Sequence, residues 1–151
     1  MMTSGGTLID RRGHLAQLVV QALLAGLAFV TLSWVPLAAA ALLFGFSALA
    51  WPRGAPVLRA WEVVARGRGP RWMDDGRPAR ISTALGAVNF AGMGAVVALG
   101  QDSPLLWGAL PVLAAVLVAE AVVGACVPCE LVVWASRRGY LRFRTPIGAT
   151  R

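Results

Sequence analysis

Between Leu15 and Val35 the chain runs for 21 residues without a charged side chain. A backbone that apolar and that long has few ways to pair its amides. In lipid, only helices and closed barrels do so. Three further apolar runs follow: Leu37 to Trp51, Ile81 to Leu99, and Leu105 to about Ser136. None alternates apolar with polar residues as a strand would, so helices are expected throughout and no strand is. Composition agrees, with 58% hydrophobic and 14% charged residues, where a soluble domain usually carries about 25% charged. Mean hydropathy is +0.68.

Pro36 separates the first two runs and the turn Ser33-Trp34-Val35-Pro36 joins them, while Gly100-Gln101-Asp102-Ser103-Pro104 joins the last two. The fold class this predicts is all-α: an integral membrane four-helix bundle of two helical hairpins, with a cytoplasmic interfacial helix between them. The whole of residues 1–151 reads as a single membrane domain, with spans at about 15–35, 37–51, 81–99 and 105–125 and a short helix at 128–136. No residue-level repeat relates the two halves. Arg11-Arg12 before the first run and Ala38-Ala39-Ala40 after it imitate a twin-arginine signal peptide. The run is long for such a segment and another span follows it, so the first helix is read as retained.

All 14 basic residues are arginine. Two precede the first run, seven lie between Arg53 and Arg80, and five follow Ser136, while the two hairpin turns carry none. A net charge of +7 can signal nucleic acid, but these arginines lie between apolar segments and not on a polar domain. The positive-inside rule instead places both termini and the central loop on the cytoplasmic side of a bacterial inner membrane. In the central loop, Val57, Leu58, Trp61 and Val64 share one helical face, with Arg59, Glu62 and Arg66 away from it. That suits a helix lying in the interface. The arginine-rich tail from Arg137 to Arg144 is read as lying there too. Gly67-Arg68-Gly69-Pro70 reads as a flexible break, not a phosphate loop. Gly86, Ala87, Ala91, Gly92, Gly94 and Ala98 offer close helix packing, and Asn89 a bond across the bundle.

The last run holds the chemistry. Its 32 residues would extend about 48 Å as one helix, against a hydrocarbon core of about 30 Å. Pro128 is where the helix is expected either to kink, which would leave Cys126 nearer the bilayer midplane, or to break, with a short helix beginning there. If it breaks, Cys126 sits beside a helix N-terminus, where amides and the positive end favour a thiolate. In Cys126-Val127-Pro128-Cys129 the proline stands where thioredoxin's Cys-Gly-Pro-Cys has it, though the strand pattern of that fold is missing. Three readings stay open: a redox or sulfur-relay pair, a metal site, and two small apolar residues. A full zinc site needs four ligands and His14 is the sole histidine, whereas Cu(I) needs fewer thiolates. Intramembrane carboxylates are functional candidates by default. Glu130 follows Cys126 by four residues and can take a thiol proton, or pair with Arg137 or Arg138. Glu120 lies deeper and is read as protonated and bonded to Asn89 or Gln21, or as part of a proton path.

Asp10-Arg11-Arg12 near the start, two hairpins, Arg77-Pro78-Ala79-Arg80-Ile81 and Cys126-x-x-Cys129-Glu130-Leu131 together resemble the DUF4395 family of small bacterial membrane proteins, common in actinobacteria. The likeness covers roughly residues 8–138. Its members are often encoded beside thioredoxin-like proteins and sulfurtransferases, which implies thiol or sulfane-sulfur chemistry. The family pattern has glycine where Pro128 stands, tyrosine at Val132 and phenylalanine at Ile81. The expected function is thiol–disulfide redox or sulfur relay through Cys126 and Cys129, with Glu130 and Glu120 as further catalytic candidates. Cys126 is taken as the attacking thiol, because the first cysteine of such motifs is usually the more exposed. Expected partners are the lipid bilayer and a cytoplasmic thioredoxin-like protein or sulfurtransferase, with no nucleic acid. The alternative is a non-enzymatic small transporter or membrane partner subunit whose cysteines are structural or bind Cu(I).

Overall fold

The structure is a computed structural model and describes residues 8–51, 55–66, 73–101 and 103–140, without the side chains of Leu8, Met73 and Asp74. The Gly67–Pro70 break and the tail beyond Tyr140 lie outside them. The order of elements is β1 (Leu8–Asp10), α1 (Arg11–Thr31), α2 (Val35–Leu49), α3 (Pro56–Val64), β2 (Met73–Asp75), α4 (Gly76–Ala98), α5 (Pro104–Val123) and α6 (Val127–Arg137). The chain is all-α, with six helices among the described residues. Three of them, α1, α4 and α5, are long and apolar enough to cross a membrane, and α2 is shorter. This is compatible with a multi-pass membrane protein.

Two features depart from the sequence reading. β1 and β2 form an antiparallel ribbon of three residues each, with Leu8 opposite Asp75 and Asp10 opposite Met73. Each strand also leads straight into a helix that starts four or five residues earlier than its apolar run. The cause is a cap. Asp10 is extended and its carboxylate accepts from the Arg12 amide at 3.0 Å. Asp75 does the same for Arg77 at 3.0 Å and also holds the Arg77 guanidinium. An aspartate in that place satisfies an amide that would otherwise lack a partner. It also lets the charged first turn join the helix.

The hairpin turn after α1 is tight. Leu32 takes a left-handed conformation (φ 46°) and the Ser33 amide returns to the Ala28 carbonyl. Helix α2 begins at Val35 with Pro36 in its first turn, where a missing amide costs nothing. The core lies where α2 meets α4 and α1 meets α5. Phe44 stacks on Phe90 with ring centroids 6.4 Å apart, amid Ala25, Ala28, Leu37 and Leu110. Gly94 permits this approach, since a Cβ there would stand 3.4 Å from that of Leu37. Of the small residues on α4, Ala87 and Gly94 are buried, whereas Ala91, Gly92 and Ala98 face outward.

The halves repeat one plan: strand, aspartate cap, long helix, second helix, short helix. Their packing repeats too. The long helix of each half contacts the second helix of the other, and each short helix contacts the long helix of its own half. Arg80 donates to the Ala48 carbonyl at 2.8 Å near the end of α2, and Arg11 to the Gly124 carbonyl at the end of α5. The repeat lies in the backbone plan and not in the residues. Helix α3 lies against the start of α1, where Gly13 leaves room for Leu58 and Trp61, and the Trp61 indole donates to Asp10 at 3.3 Å. Of the expected apolar face, Leu58 is buried while Val64 is exposed.

Candidate thiol site at the start of the last helix

The last apolar run is broken by two residues acting in turn. Gly124 takes the left-handed conformation (φ 72°, ψ 19°) that ends α5, and the Ala125 amide bonds back to the Glu120 carbonyl at 3.1 Å. Glycine bears that conformation without a Cβ clash. Cys126 is then extended and caps α6, with Pro128 in the first turn. The proline starts the new helix, but the glycine ends the old one. The Cα atoms of Cys126 and Cys129 are 5.2 Å apart and their sulfurs are paired as a disulfide.

Other elements close around the pair. His14, one turn into α1, places Nε2 3.4 Å from the Cys129 sulfur. Ser82 of α4 places its hydroxyl 3.6 Å from the Cys126 sulfur. The donor atoms of His14, Cys126 and Cys129 all lie within 4.8 Å of one another. His14 and Cys126 are only 6% and 8% exposed, while Cys129 is half-buried. The expected order of exposure is therefore reversed, with Cys129 the more reachable sulfur.

The two glutamates separate. Glu130 is exposed on the first turn of α6. Its four-residue spacing from Cys126 does not put the two on one helix face, because Cys126 precedes the helix. No ion pair to Arg137 or Arg138 is found among the described residues, and Arg138 instead lies over the Trp134 ring at 5.2 Å. Glu120 is 9% exposed and accepts from the Val127 amide at 3.3 Å, the first amide of α6. It thus ties α5 to the start of α6 and bonds neither Asn89, which is exposed, nor Gln21. Its second oxygen has no partner among the described residues.

Sequence reasoning used His14 only as an argument against zinc, and it did not find Ser82 or Arg11. One signal was available: by topology the sole histidine and both cysteines fall at the same end of the helices. From His14 a buried polar row continues along α1 through Gln17 and Gln21. Gln17 donates to Thr83 of α4 at 3.2 Å. Buried groups of this kind between apolar helices hold them in one register.

Residues 9–137 match the family described as a domain of unknown function (DUF4395). No curated protein and no solved structure matches the chain.

Proposed function

Because the chain belongs to the DUF4395 family, which carries no assigned activity, we propose its function from geometry: thiol–disulfide exchange at the cytoplasmic face of the inner membrane. The observation that carries this is the Cys126/Cys129 pair at the start of α6 with His14 Nε2 3.4 Å from the outer sulfur. A pair that bridges reversibly needs close Cα atoms, an accessible sulfur and a way to stabilise the leaving thiolate. The site supplies all three.

The incoming thiolate of a partner dithiol attacks the Cys129 sulfur. The bond to Cys126 breaks and its electron pair leaves with Cys126, beside the amides and positive end of α6. A second partner thiolate then attacks the mixed disulfide, forming the partner's disulfide and releasing Cys129. His14 is placed to hand Cys129 its proton. Two electrons and two protons pass from the partner to the pair, and the reverse sequence oxidises the pair again. The chemistry fits a cytoplasmic thioredoxin-like protein. With a sulfurtransferase the same outer sulfur would carry a persulfide.

In this reading α1, α2, α4 and α5 form a four-span bundle, with α3 and α6 in the cytoplasmic interface. Arg11, Arg12, Arg77 and Arg80 lie in the opening turns of α1 and α4, at the end that holds the thiols, as the positive-inside rule requires of a cytoplasmic face. Helix α2 has 15 residues, about 22 Å of rise. Trp34, exposed at its start, stands where an indole anchors at the headgroups. In a chain lacking Cys126 and Cys129, single cysteines at Ser33 or Ser103 are expected to react with an impermeant maleimide added outside. Those at Ser4 or Thr150 are expected to react only after permeabilisation. The opposite pattern removes the cytoplasmic placement.

The exchange itself is tested by equilibrating membranes in glutathione buffers and counting free thiols by alkylation. One reversible two-electron transition is expected, lost in either cysteine variant. A pair locked in one state at every potential would end the exchange reading.

A further inference from the structure

We propose that the reduced pair and His14 together hold one monovalent copper ion. The inference extends the exchange reading to the dithiol state of the same site, and it rests on that reading only for reversible reduction of the pair by a dithiol. Disulfide and metal then exclude each other.

Three donor atoms converge here from two distant parts of the chain. His14 Nε2 and the two sulfurs lie within 4.8 Å of one another. Metal bonds to imidazole and thiolate are about 2.0–2.3 Å long, so donors sharing an ion stand about 3.4–4 Å apart. The 3.4 Å from His14 Nε2 to Cys129 already meets that spacing. Once reduced, the sulfurs separate by side-chain rotation to the same range, which Cα atoms 5.2 Å apart allow.

The donor set selects the ion. Thiolate is soft and favours Cu(I). Structural zinc takes four protein ligands, whereas the chain has one histidine and two cysteines. Glu120 is not among the donor atoms that lie within 4.8 Å of one another, so among the described residues no fourth protein ligand joins them. Two thiolates with Cu(I) carry a net charge of −1. That charge falls at the N-terminus of α6, where the helix dipole stabilises it, with the Arg11 guanidinium on the Gly124 carbonyl in the same corner.

The test uses the full chain in detergent, reduced and kept anaerobic, titrated with Cu(I) against a chromogenic Cu(I) chelator. One ion per chain is expected, with X-ray absorption showing two sulfur neighbours and one nitrogen. His14→Ala is expected to weaken binding at least about tenfold, equivalent to about 1.4 kcal/mol. His14→Met, which restores a soft donor, should recover most of it for Cu(I) but not for zinc. Cys126→Ser and Cys129→Ser should each abolish stoichiometric binding. A thermal unfolding transition in His14→Ala unchanged from wild type shows that the site still assembles. If that variant does not assemble, the nitrogen neighbour in wild type and the Met variant decide the matter. Wild-type affinity in His14→Ala, absence of a nitrogen neighbour, or zinc displacing the copper would overturn the proposal. Reversible exchange without copper binding sinks this proposal alone, and copper binding by a pair that never exchanges sinks the exchange reading alone.

Discussion

Reduced Cys126→Ser protein exposed to glutathione disulfide is expected to accumulate one glutathionyl group on Cys129, while wild type passes through that adduct to its internal disulfide. Cys129→Ser should be modified at Cys126 at least about tenfold more slowly, because exchange depends on access to the attacked and attacking sulfurs. The asymmetry follows from burial. Cys126 is 8% exposed and packs on Ser82, whereas Cys129 is half-buried beside His14. Intact mass spectrometry with and without reductant reads the outcome. Faster modification of Cys129→Ser would restore the order expected from the motif alone, with Cys126 as the attacking thiol. Absence of any adduct in both variants would remove the exchange mechanism.

A second large effect is expected at Gly124 and not at Pro128. Valine at Gly124 must adopt the left-handed conformation at a cost of about 1–2 kcal/mol, or abandon it. If it abandons it, the carbonyl that holds Arg11 moves, and the reach from Glu120 to the Val127 amide is lost. Closure of the internal disulfide in Gly124→Val should then slow about tenfold, since 1.4 kcal/mol is a factor of ten. Gly124→Asn should fall between, because asparagine tolerates this conformation. Pro128→Ala should stay within about threefold of wild type, because alanine is a good helix former and the end of α5 does not depend on that proline. A larger effect from Pro128→Ala than from Gly124→Val would make the proline the break after all.

The long helices and the broken last run were legible because they rest on local rules. Uncharged length gives the helices, and a proline in an overlong run gives a break. The helix starts were misplaced because apolarity was followed past Arg11–His14 and Arg77–Arg80, when Asp10 and Asp75 were already the capping residues. The role of Glu120 was hidden because its partner was sought on neighbouring helices, when it stands seven residues ahead at the start of α6. The left-handed Gly124 between them turns the chain so that they meet. Glu130 was overvalued because its four-residue spacing from Cys126 was read as nearness to the thiol. Topology could bring His14 to the same end as the sulfurs but not into contact with one 115 residues away, and Ser82, 44 residues from the sulfur it meets, was beyond reach. No local pattern encodes a contact of that kind. The repeat was missed because it lives in caps, turns and packing partners, which different residues can build equally well.

That repeated plan has a consequence for how the chemistry is owned. The first half brings the imidazole and no thiol, and the second brings both thiols and no imidazole. Neither piece holds the site by itself; it exists only along the seam where they dock. If the polypeptide were severed within residues 67–72 and the fragments made together, the state of the sulfurs would report reunion. Fragments that meet would place His14 against Cys129, and fragments that stay apart would leave an ordinary cysteine pair. The histidine–sulfur contact is thus a built-in reporter of assembly, written in the same atoms proposed for the exchange.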